Sequence, residues 1–179
     1  TTDYEKILHD KEIDLVIVAT RHNLHAKIAI EALNKNKNVH IEKPLALNEG
    51  ELKEIIKALK TSQGRLMVGF NRRFSPAARQ IKEFFGKNSA PFFMQMRFNA
   101  GYLPKDHWTR DLVEGGGRIV GEACHFIDLA QYLSGSQVKK VFAVSLPVEK
   151  SSEDDILINL SMVDGSQAFA GVPREDIAA

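Results

Sequence analysis

An alternation of apolar strands and amphipathic helices over residues 14–70 constrains the fold of this chain more than any other feature. Residues 15–19 (LVIVA) form a continuous apolar run rich in β-branched side chains, which is typical of parallel strands covered on both faces. Residues 39–41 and 66–70 predict two further strands. Because two helices separate the three strands, the segment contains two βαβ units, whose crossovers are almost always right-handed. The sequence therefore predicts half of a doubly wound parallel sheet in an α/β protein.

Two helices are predicted between these strands. The first has an apolar face at helical spacing, made of Ile28, Ala29, Ala32 and Leu33. The second begins at Asn48, with Glu51 three residues later as in a capping box, and Gly64 is suited to ending it. Its predicted buried stripe consists of Leu52, Ile55, Ile56 and Leu59. Each helix therefore offers one apolar face to the sheet.

The pattern changes near Asn71, where we predict that a second domain begins. Ser75 and Pro76 are typical of a helix start, and Gly86 is a suitable end for the helix. The side chains expected to face inward from this helix are Ile81, Phe84 and Phe85. The first domain is accordingly predicted over residues 1–70.

The rest of the chain predicts one strand, one helix and then three strands. Their expected ranges are 91–98, 118–133, 138–148, 156–163 and 167–172. Asp164 and Gly165 form a strong hairpin signal between the last two strands. Strands that follow one another through short turns pair antiparallel, so we predict a partial α+β domain with an antiparallel sheet over residues 71–179.

Charge and cysteine content narrow the functional classes. The chain carries 24 Lys plus Arg against 23 Asp plus Glu, a net charge of +1 without a basic block, which argues against general nucleic-acid binding. No apolar run approaches the roughly 18 residues of a bilayer-spanning helix, so no membrane partner is expected. A single cysteine, Cys124, excludes an internal disulfide, and together with a charged start that does not resemble a signal peptide it predicts a cytoplasmic location.

Polar residues follow the first two predicted strands at their carboxyl ends. Thr20-Arg21-His22-Asn23 comes after the first, and Glu42-Lys43-Pro44 after the second. Ligands of open α/β sheets collect outside the carboxyl ends of the strands. A lysine beside a glutamate at such an edge could bind and polarise a hydroxyl or carbonyl group. The alternative is a surface lysine in a turn that precedes a proline.

A second group of polar residues falls on the predicted helix over residues 118–133. Glu122, His125 and Asp128 are spaced by three and share one broad face of an α-helix. A histidine with carboxylates one turn away is suited to proton transfer, because imidazole titrates near neutral pH. The alternative is a structural histidine held by a hydrogen bond on the helix surface.

Phosphate-binding and metal-binding signals are weak. The run Gly115-Gly116-Gly117 lies in the pattern G-x-G-x-x-V, which lacks the last glycine of a dinucleotide fingerprint and does not follow a buried strand. We interpret it as a tight loop, so the sequence contains no phosphate cradle. Cys124 and His125 are adjacent and point about 100° apart on a helix, which is poor ligand geometry, and no metal site is predicted.

Four ordered motifs carry a resemblance to a known family. They are DLVIVATRHNLHAKIAIEAL (14–33), VHIEKPLA (39–46), GFNRRFSP (69–76) and GGGRIVGEACHFIDL (115–129). The chain resembles the Gfo/Idh/MocA family of NAD(P)-dependent oxidoreductases over most of residues 14–135. The stretches NAGYLPKDHWTRD and GEACHFID also resemble a subgroup in which this module follows a zinc-alcohol-dehydrogenase-like one.

The resemblance implies roles for individual residues. Lys43 corresponds to the lysine that contacts the reacting hydroxyl or carbonyl group, and His125 to the histidine that relays or accepts its proton. Glu122 is expected to replace an aspartate that many relatives carry four residues before the histidine, where this chain has Gly121. The positions expected to contact NAD or NADP, directly or at the edge of its cleft, are Thr20, His25, Glu42, Arg72, Trp108 and Arg110.

The resemblance also implies what surrounds this segment. The family's first βαβ unit, with its glycine fingerprint, has no counterpart in the sequence, so residues 1–70 are expected to be the C-terminal half of a Rossmann-like sheet. We expect a segment of an oxidoreductase acting on a sugar, cyclitol or related small molecule, assembled as a homo-oligomer. The isolated chain is expected to be inactive. The alternative is a non-catalytic binding or dimerisation module of the same fold.

Overall fold

The computed structural model describes residues 2–86, 90–98, 103–104, 106–145 and 156–172. Their contacts divide the chain into two compact units, Thr1–Gly69 with Trp108–Gly121, and Phe70–His107 with Glu122–Ala179. The segment Trp108–Gly121 therefore belongs to the first unit, although it lies beyond the domain boundary expected at residue 70. In the described part of the chain, no helix has both the length and the apolar character needed to cross a membrane.

The first unit contains a parallel three-stranded sheet, as predicted. Its elements in chain order are α1 (Tyr4–His9), β1 (Leu15–Val18), a 3-10 turn (His22–Leu24), α2 (His25–Asn34), β2 (Asn38–Ile41), α3 (Glu49–Thr61) and β3 (Leu66–Val68). The strands lie in the order β1-β2-β3, with Val18 beside Ile41 and Ile41 beside Val68. All three strands therefore end at one edge of the sheet, where the loops with Thr20 and Lys43 begin.

The core of the first unit lies on one face of this sheet. Its most buried members are Ala29, Ala32 and Leu33 of α2 and Ile41 of β2, each 0% exposed. Ile55 and Ala58 of α3 complete the packing. The predicted face of α2 is thus confirmed, because apolar side chains at helical spacing meet a sheet of β-branched residues.

The opposite face of the sheet is open among the described residues, so the expectation that β1 is covered on both faces is wrong here. Leu15 and Ile17 are 52% and 67% exposed. The predicted stripe of α3 is also mostly wrong: Ile55 is buried, but Leu52, Ile56 and Leu59 are exposed. Periodicity identified the helix, yet only Ile55 and its neighbour Ala58 lie on the side that meets the core.

The second unit combines two α-helices with a four-stranded sheet. Its elements are a 3-10 turn (Asn71–Phe74), α4 (Pro76–Gly86), β4 (Phe93–Arg97), α5 (Cys124–Ser134), β5 (Val138–Ser145), β6 (Ile156–Met162) and β7 (Gln167–Val172). The strand order is β4-β7-β6-β5. Strands β5, β6 and β7 pair antiparallel as predicted, but β4 joins β7 in parallel, so the sheet is mixed. Residues 146–148, predicted to extend β5, lie outside the described residues.

Alternation along β6 separates the two faces of this sheet. Ile158, Leu160 and Met162 are buried, with Leu160 0% exposed. Helix α5 packs against β6 and contributes the buried residues Phe126 and Ala130 to the core of this unit. The inward faces predicted for Ile81, Phe84 and Phe85 of α4 are wrong, because all three are exposed. Ala78 is the residue that α4 buries.

The predicted continuous helix over residues 118–133 is interrupted. A π-helical turn at Ile119–Ala123 precedes α5, which ends at Gly135 in the left-handed conformation (φ 71°). A π turn changes the direction of side chains and carbonyl groups relative to an unbroken α-helix. The apolar residues Cys124 and Ile127 are half-buried, whereas the polar residues His125 and Asp128 are buried.

Candidate active site

Lys43 lies just beyond the carboxyl end of β2, at the edge where the first unit's strands end. Its half-buried side chain donates a hydrogen bond from Nζ to the carbonyl oxygen of Gly121, at 2.7 Å. Gly121 is buried and belongs to the π-helical turn. A hydrogen bond between a charged ammonium and a neutral carbonyl orients the lysine without neutralising its charge. The structure therefore directs the Lys43 ammonium group at this edge.

Glu42 and Thr20 lie on the two neighbouring strand ends. The backbone N–H of Glu42 donates to the carbonyl oxygen of Val18 (2.9 Å), which fixes the glutamate beside the end of β1. A Cβ at Gly69 would lie 3.1 Å from Glu42 Oε2, so the glycine leaves room for the half-buried carboxylate. The exposed Thr20 hydroxyl donates to the carbonyl oxygen of Arg21 (3.2 Å). Both side chains offer oxygen atoms at the carboxyl edge of the sheet.

His25, the first residue of α2, is 0% exposed. Its Nδ1 lies 2.7 Å from the carbonyl oxygen of Pro44, and its Nε2 lies 3.2 Å from that of Thr20. Both ring nitrogens therefore face backbone carbonyl groups of the loops that follow β1 and β2. The family resemblance implied a cofactor contact for His25; in the structure its ring lies against the carbonyl groups of these two loops.

Trp108 and Arg110 form a short 3-10 turn in the segment that belongs to the first unit. The ring of Trp108 packs edge-on against His22, with 4.7 Å between ring centroids, and the Arg21 guanidinium lies 5.5 Å from the Trp108 ring centroid. Arg21 also forms an ion pair with Glu114. The half-buried Arg110 follows Trp108 in the same turn.

The loop after Arg110 is fixed by backbone contacts. His22 Nδ1 donates to the carbonyl oxygen of Gly115 at 2.7 Å, and His22 is 8% exposed. A Cβ at Gly115 would lie 2.4 Å from the Cα of Thr109, so only glycine fits there without movement. This explains the first glycine of the run as a close approach between backbones, in agreement with the sequence-based interpretation of a tight loop.

His125 lies on α5 of the second unit and is 5% exposed. The Phe70 ring packs edge-on to it, with 6.2 Å between centroids. Glu122 is half-buried and lies in the π-helical turn, so the face it was predicted to share with His125 is not that of a regular α-helix. Asp128, the third member of the predicted group, forms an ion pair with Arg73 instead of remaining available for proton transfer.

The Arg73–Asp128 pair was not identified from the sequence. Arg73 Nε donates to Asp128 Oδ2 at 2.6 Å, and Nη2 donates to Oδ1 in the parallel, two-pronged arrangement. Asp128 is 5% exposed. The hydrogen bond to Asp128 raises the pKa of Arg73 above its ordinary value, against the opposing effect of burial. The pair ties the 3-10 turn after Phe70 to the helix that carries His125.

Arg72 lies on an aromatic stack in the second unit. Its guanidinium carbon is 4.7 Å from the Phe126 ring centroid and 5.4 Å from that of Phe98, and the two rings stack on each other. Arg72 itself is exposed. An arginine over aromatic rings is held by cation–π attraction of about 0.5–2 kcal/mol. Of the residues predicted as a site, the first unit thus contains Thr20, His25, Glu42, Lys43, Trp108 and Arg110, and the second contains Arg72, Glu122 and His125.

The parallel sheet with polar strand ends defines a Rossmann-type domain, and two family models match the chain. The first is described as an oxidoreductase family with an NAD-binding Rossmann fold and matches residues 1–70. The second is the GFO/IDH/MocA C-terminal domain and matches residues 86–172. The chain belongs to the Gfo/Idh/MocA family of oxidoreductases, and the predicted resemblance is confirmed.

Individual relatives agree with this assignment. The chain is 32% identical to levoglucosan dehydrogenase of Pseudarthrobacter phenanthrenivorans, over 82% of this chain and 40% of that protein. It is 29% identical to myo-inositol 2-dehydrogenase of Thermotoga maritima, over 79% and 42%. A levoglucosan dehydrogenase structure in complex with NADH and levoglucosan superposes with a TM-score of 0.84 at 28% identity, over 99% of this chain and 52% of that one. The chain thus spans about half the length of the relatives that it matches.

Proposed function

We propose that the protein containing this chain is an NAD(P)-dependent dehydrogenase that oxidises a hydroxyl group of a sugar, cyclitol or related compound, or reduces the corresponding carbonyl group. One observation carries this proposal: the Lys43 ammonium is directed by the Gly121 carbonyl oxygen at the carboxyl edge of the sheet. Relatives named for levoglucosan and inositol oxidation support the substrate class.

Lys43 is proposed to bind the reacting oxygen of the substrate. When hydride leaves the adjacent carbon, negative charge develops on this oxygen, and a preorganised ammonium stabilises it. The proton of the substrate hydroxyl must leave as well, and His125 is proposed to accept it and to return it in the reverse direction. The buried position of His125 supports this role, because a dry environment limits proton exchange with water. Glu122 is proposed to assist the transfer of this proton to and from His125.

NAD or NADP supplies the hydride chemistry. The oxygen atoms of Thr20 and Glu42 at the strand ends suit the ribose hydroxyl and carboxamide groups of the nicotinamide nucleotide. Aromatic and cationic side chains at Trp108, Arg110 and Arg72 are proposed to contact the same nucleotide, as the family resemblance implies. No G-x-G-x-x-G motif in this sequence provides a pyrophosphate cradle.

Replacing Lys43 by methionine tests the function directly. Loss of the ammonium should lower kcat by about 10²–10³-fold, the usual cost of losing one charge-stabilising donor. The measurement is NAD(P) reduction by the full-length protein with myo-inositol and levoglucosan as first substrates. Lys53→Met is a matched control, because Lys53 lies on α3 with its side chain 69% exposed. Full turnover by the Lys43→Met variant would show that the proposed mechanism is wrong.

The 179-residue chain alone is proposed to bind dinucleotide poorly and to be inactive. Backbone N–H groups of a glycine loop and a helix N-terminus supply much of the affinity for pyrophosphate, and the sequence lacks that motif. Titration calorimetry of the chain with NAD and with NADP should detect no binding at micromolar concentrations. Micromolar affinity for either dinucleotide would contradict this expectation.

A homo-oligomer is proposed to form through the second unit's sheet. On the face opposite Ile158 and Leu160, large apolar side chains are exposed, including Phe93 (70%), Phe142 (62%) and Val144 (48%). Apolar patches of this kind are typical of association surfaces. The same observation favours the second candidate function, a non-catalytic dimerisation module. The Lys43→Met experiment distinguishes the two functions, because only an enzyme has turnover to lose.

A cytoplasmic location is also proposed, and the single cysteine supports it.

A further inference from the structure

His25 links the lysine-bearing loop to α2, which has more buried residues than α1 or α3. It begins α2, whose residues Ala29, Ala32 and Leu33 are each 0% exposed. From this fixed position its Nδ1 meets the carbonyl oxygen of Pro44, which directly follows Lys43. A fully buried ring without partners would cost about 1–3 kcal/mol, so the contact to Pro44 is a defined part of the fold.

The two contacts of the ring are not equivalent. The Pro44 carbonyl oxygen lies 2.7 Å from Nδ1, and the Thr20 carbonyl oxygen lies 3.2 Å from Nε2. Carbonyl oxygens only accept, and a neutral imidazole has a single N–H to donate. We place that proton on Nδ1, because the Pro44 carbonyl oxygen is the nearer of the two acceptors. The ring therefore donates its hydrogen bond to the loop that carries Lys43.

We propose that His25 is a positioning residue for Lys43: its Nδ1–H holds the Pro44 carbonyl group and thereby fixes the direction in which Lys43 extends its ammonium group toward the Gly121 carbonyl oxygen. The inference rests on the function proposed for Lys43. It replaces the cofactor contact that the family resemblance implied for His25. The buried ring, with both nitrogens facing backbone carbonyls, presents no ring nitrogen for a ribose.

Three substitutions separate positioning from simple packing. In His25→Asn the side-chain NH₂ stands near the place of Nδ1 and can still donate to Pro44. In His25→Gln the NH₂ group stands near the place of Nε2 and faces Thr20 instead. His25→Leu removes both ring nitrogens. Ser62→Ala is the matched control, because Ser62 also donates to a backbone carbonyl oxygen of this unit, that of Leu33 at 2.6 Å, away from the lysine loop.

Lysine labelling reports the position of Lys43 without requiring activity. The full-length protein is treated briefly with an amine-reactive reagent, and mass spectrometry measures labelling of Lys43 relative to Lys57, whose side chain is 79% exposed. The Leu and Gln variants should label Lys43 about tenfold faster than wild type, as expected when about 1.4 kcal/mol of restraint is lost. The Asn and Ser62→Ala variants should label like wild type.

Kinetics with myo-inositol or levoglucosan supplies the second readout. His25→Gln should lower kcat roughly tenfold or more with little change in KM, because a small displacement of a catalytic group slows the chemical step. His25→Asn should restore most of kcat. Equal behaviour of the Asn and Gln variants in labelling would overturn the inference, and so would unchanged labelling in a folded Leu variant.

The labelling result also separates this inference from the proposed function. If the wild-type protein oxidises none of the substrates but the Gln variant still exposes Lys43 to the reagent, the positioning role stands and the proposed function fails. If His25→Leu does not fold, the comparison between Asn and Gln decides, because both variants keep a polar side chain in the buried site.

Discussion

The two units hold their proposed site residues by different means. In the first unit, three cationic or polar side chains bind neutral backbone oxygens: Lys43 to Gly121, His25 to Pro44 and His22 to Gly115. In the second unit, a charged side-chain pair, Arg73 with Asp128, ties a turn to the helix that carries His125.

This difference predicts how each unit responds to substitution. A backbone carbonyl cannot be removed by changing its residue, so each of these three contacts of the first unit depends on one side chain only. The second unit's anchor depends on two side chains, and removal of Arg73 leaves the buried Asp128 carboxylate as an unpaired charge.

Arg73→Ala should be the most destabilising change. It leaves the carboxylate of Asp128, which is 5% exposed, without its guanidinium partner and should cost about 3 kcal/mol of unfolding free energy. Denaturant unfolding of the full-length protein measures this loss. Arg79→Ala is the control, since Arg79 is an exposed residue of the neighbouring α4.

The double variant sharpens this test. Arg73→Ala with Asp128→Ala removes both charges and should be more stable than Arg73→Ala alone, because no buried carboxylate remains. If Arg73→Ala costs no more than Arg79→Ala, the charged pair is not the anchor of the second unit, and the contrast between the units is wrong.

Phe142→Lys should weaken association through the face of the second unit's sheet that lies opposite Ile158 and Leu160. A central aromatic residue is commonly worth about 2 kcal/mol at an interface, so the dissociation constant should rise roughly thirtyfold. Analytical ultracentrifugation measures the shift toward smaller species. Val141→Lys is a matched control, because Val141 is equally exposed but lies on the other face of the same strand. Equal effects of both substitutions would argue against the proposed interface.

Arg21→Met should have the smallest effect. The Arg21 and Glu114 side chains are 54% and 42% exposed, and an ion pair of such exposure contributes at most about 1 kcal/mol. The loss should shrink further at high salt, where screening weakens the wild-type pair. Unfolding measured at two ionic strengths tests this. A salt-independent loss as large as that of Arg73→Ala would mean that the first unit also depends on a charged anchor.

Local patterns were sufficient to predict most elements but not what covers them. The three parallel strands were found because each is a short apolar run. The exposed residues Leu52 and Phe84 were misplaced because helical periodicity defines an apolar face without saying which part of it meets a neighbour. The parallel pairing of β4 with β7 was missed, since pairing between strands distant in sequence leaves no local pattern.

The site residues divide in the same way. The place of Lys43 at a strand end was predicted, because it follows from the order of the elements. Its partner could not be found, because the oxygen belongs to the backbone of Gly121 and backbone groups have no sequence signature. The Arg73–Asp128 pair was missed for a similar reason: its residues lie 55 positions apart, and only the folded unit brings them together.

The π-helical turn at Ile119–Ala123 limits how the length of this segment can vary. A π turn holds one residue more than an α-helical turn, so a single-residue deletion within it would restore regular helical pitch. The Gly121 carbonyl group would then point about 100° away from its present direction and from Lys43. A change of one residue in the length of this turn would therefore remove the acceptor of the lysine.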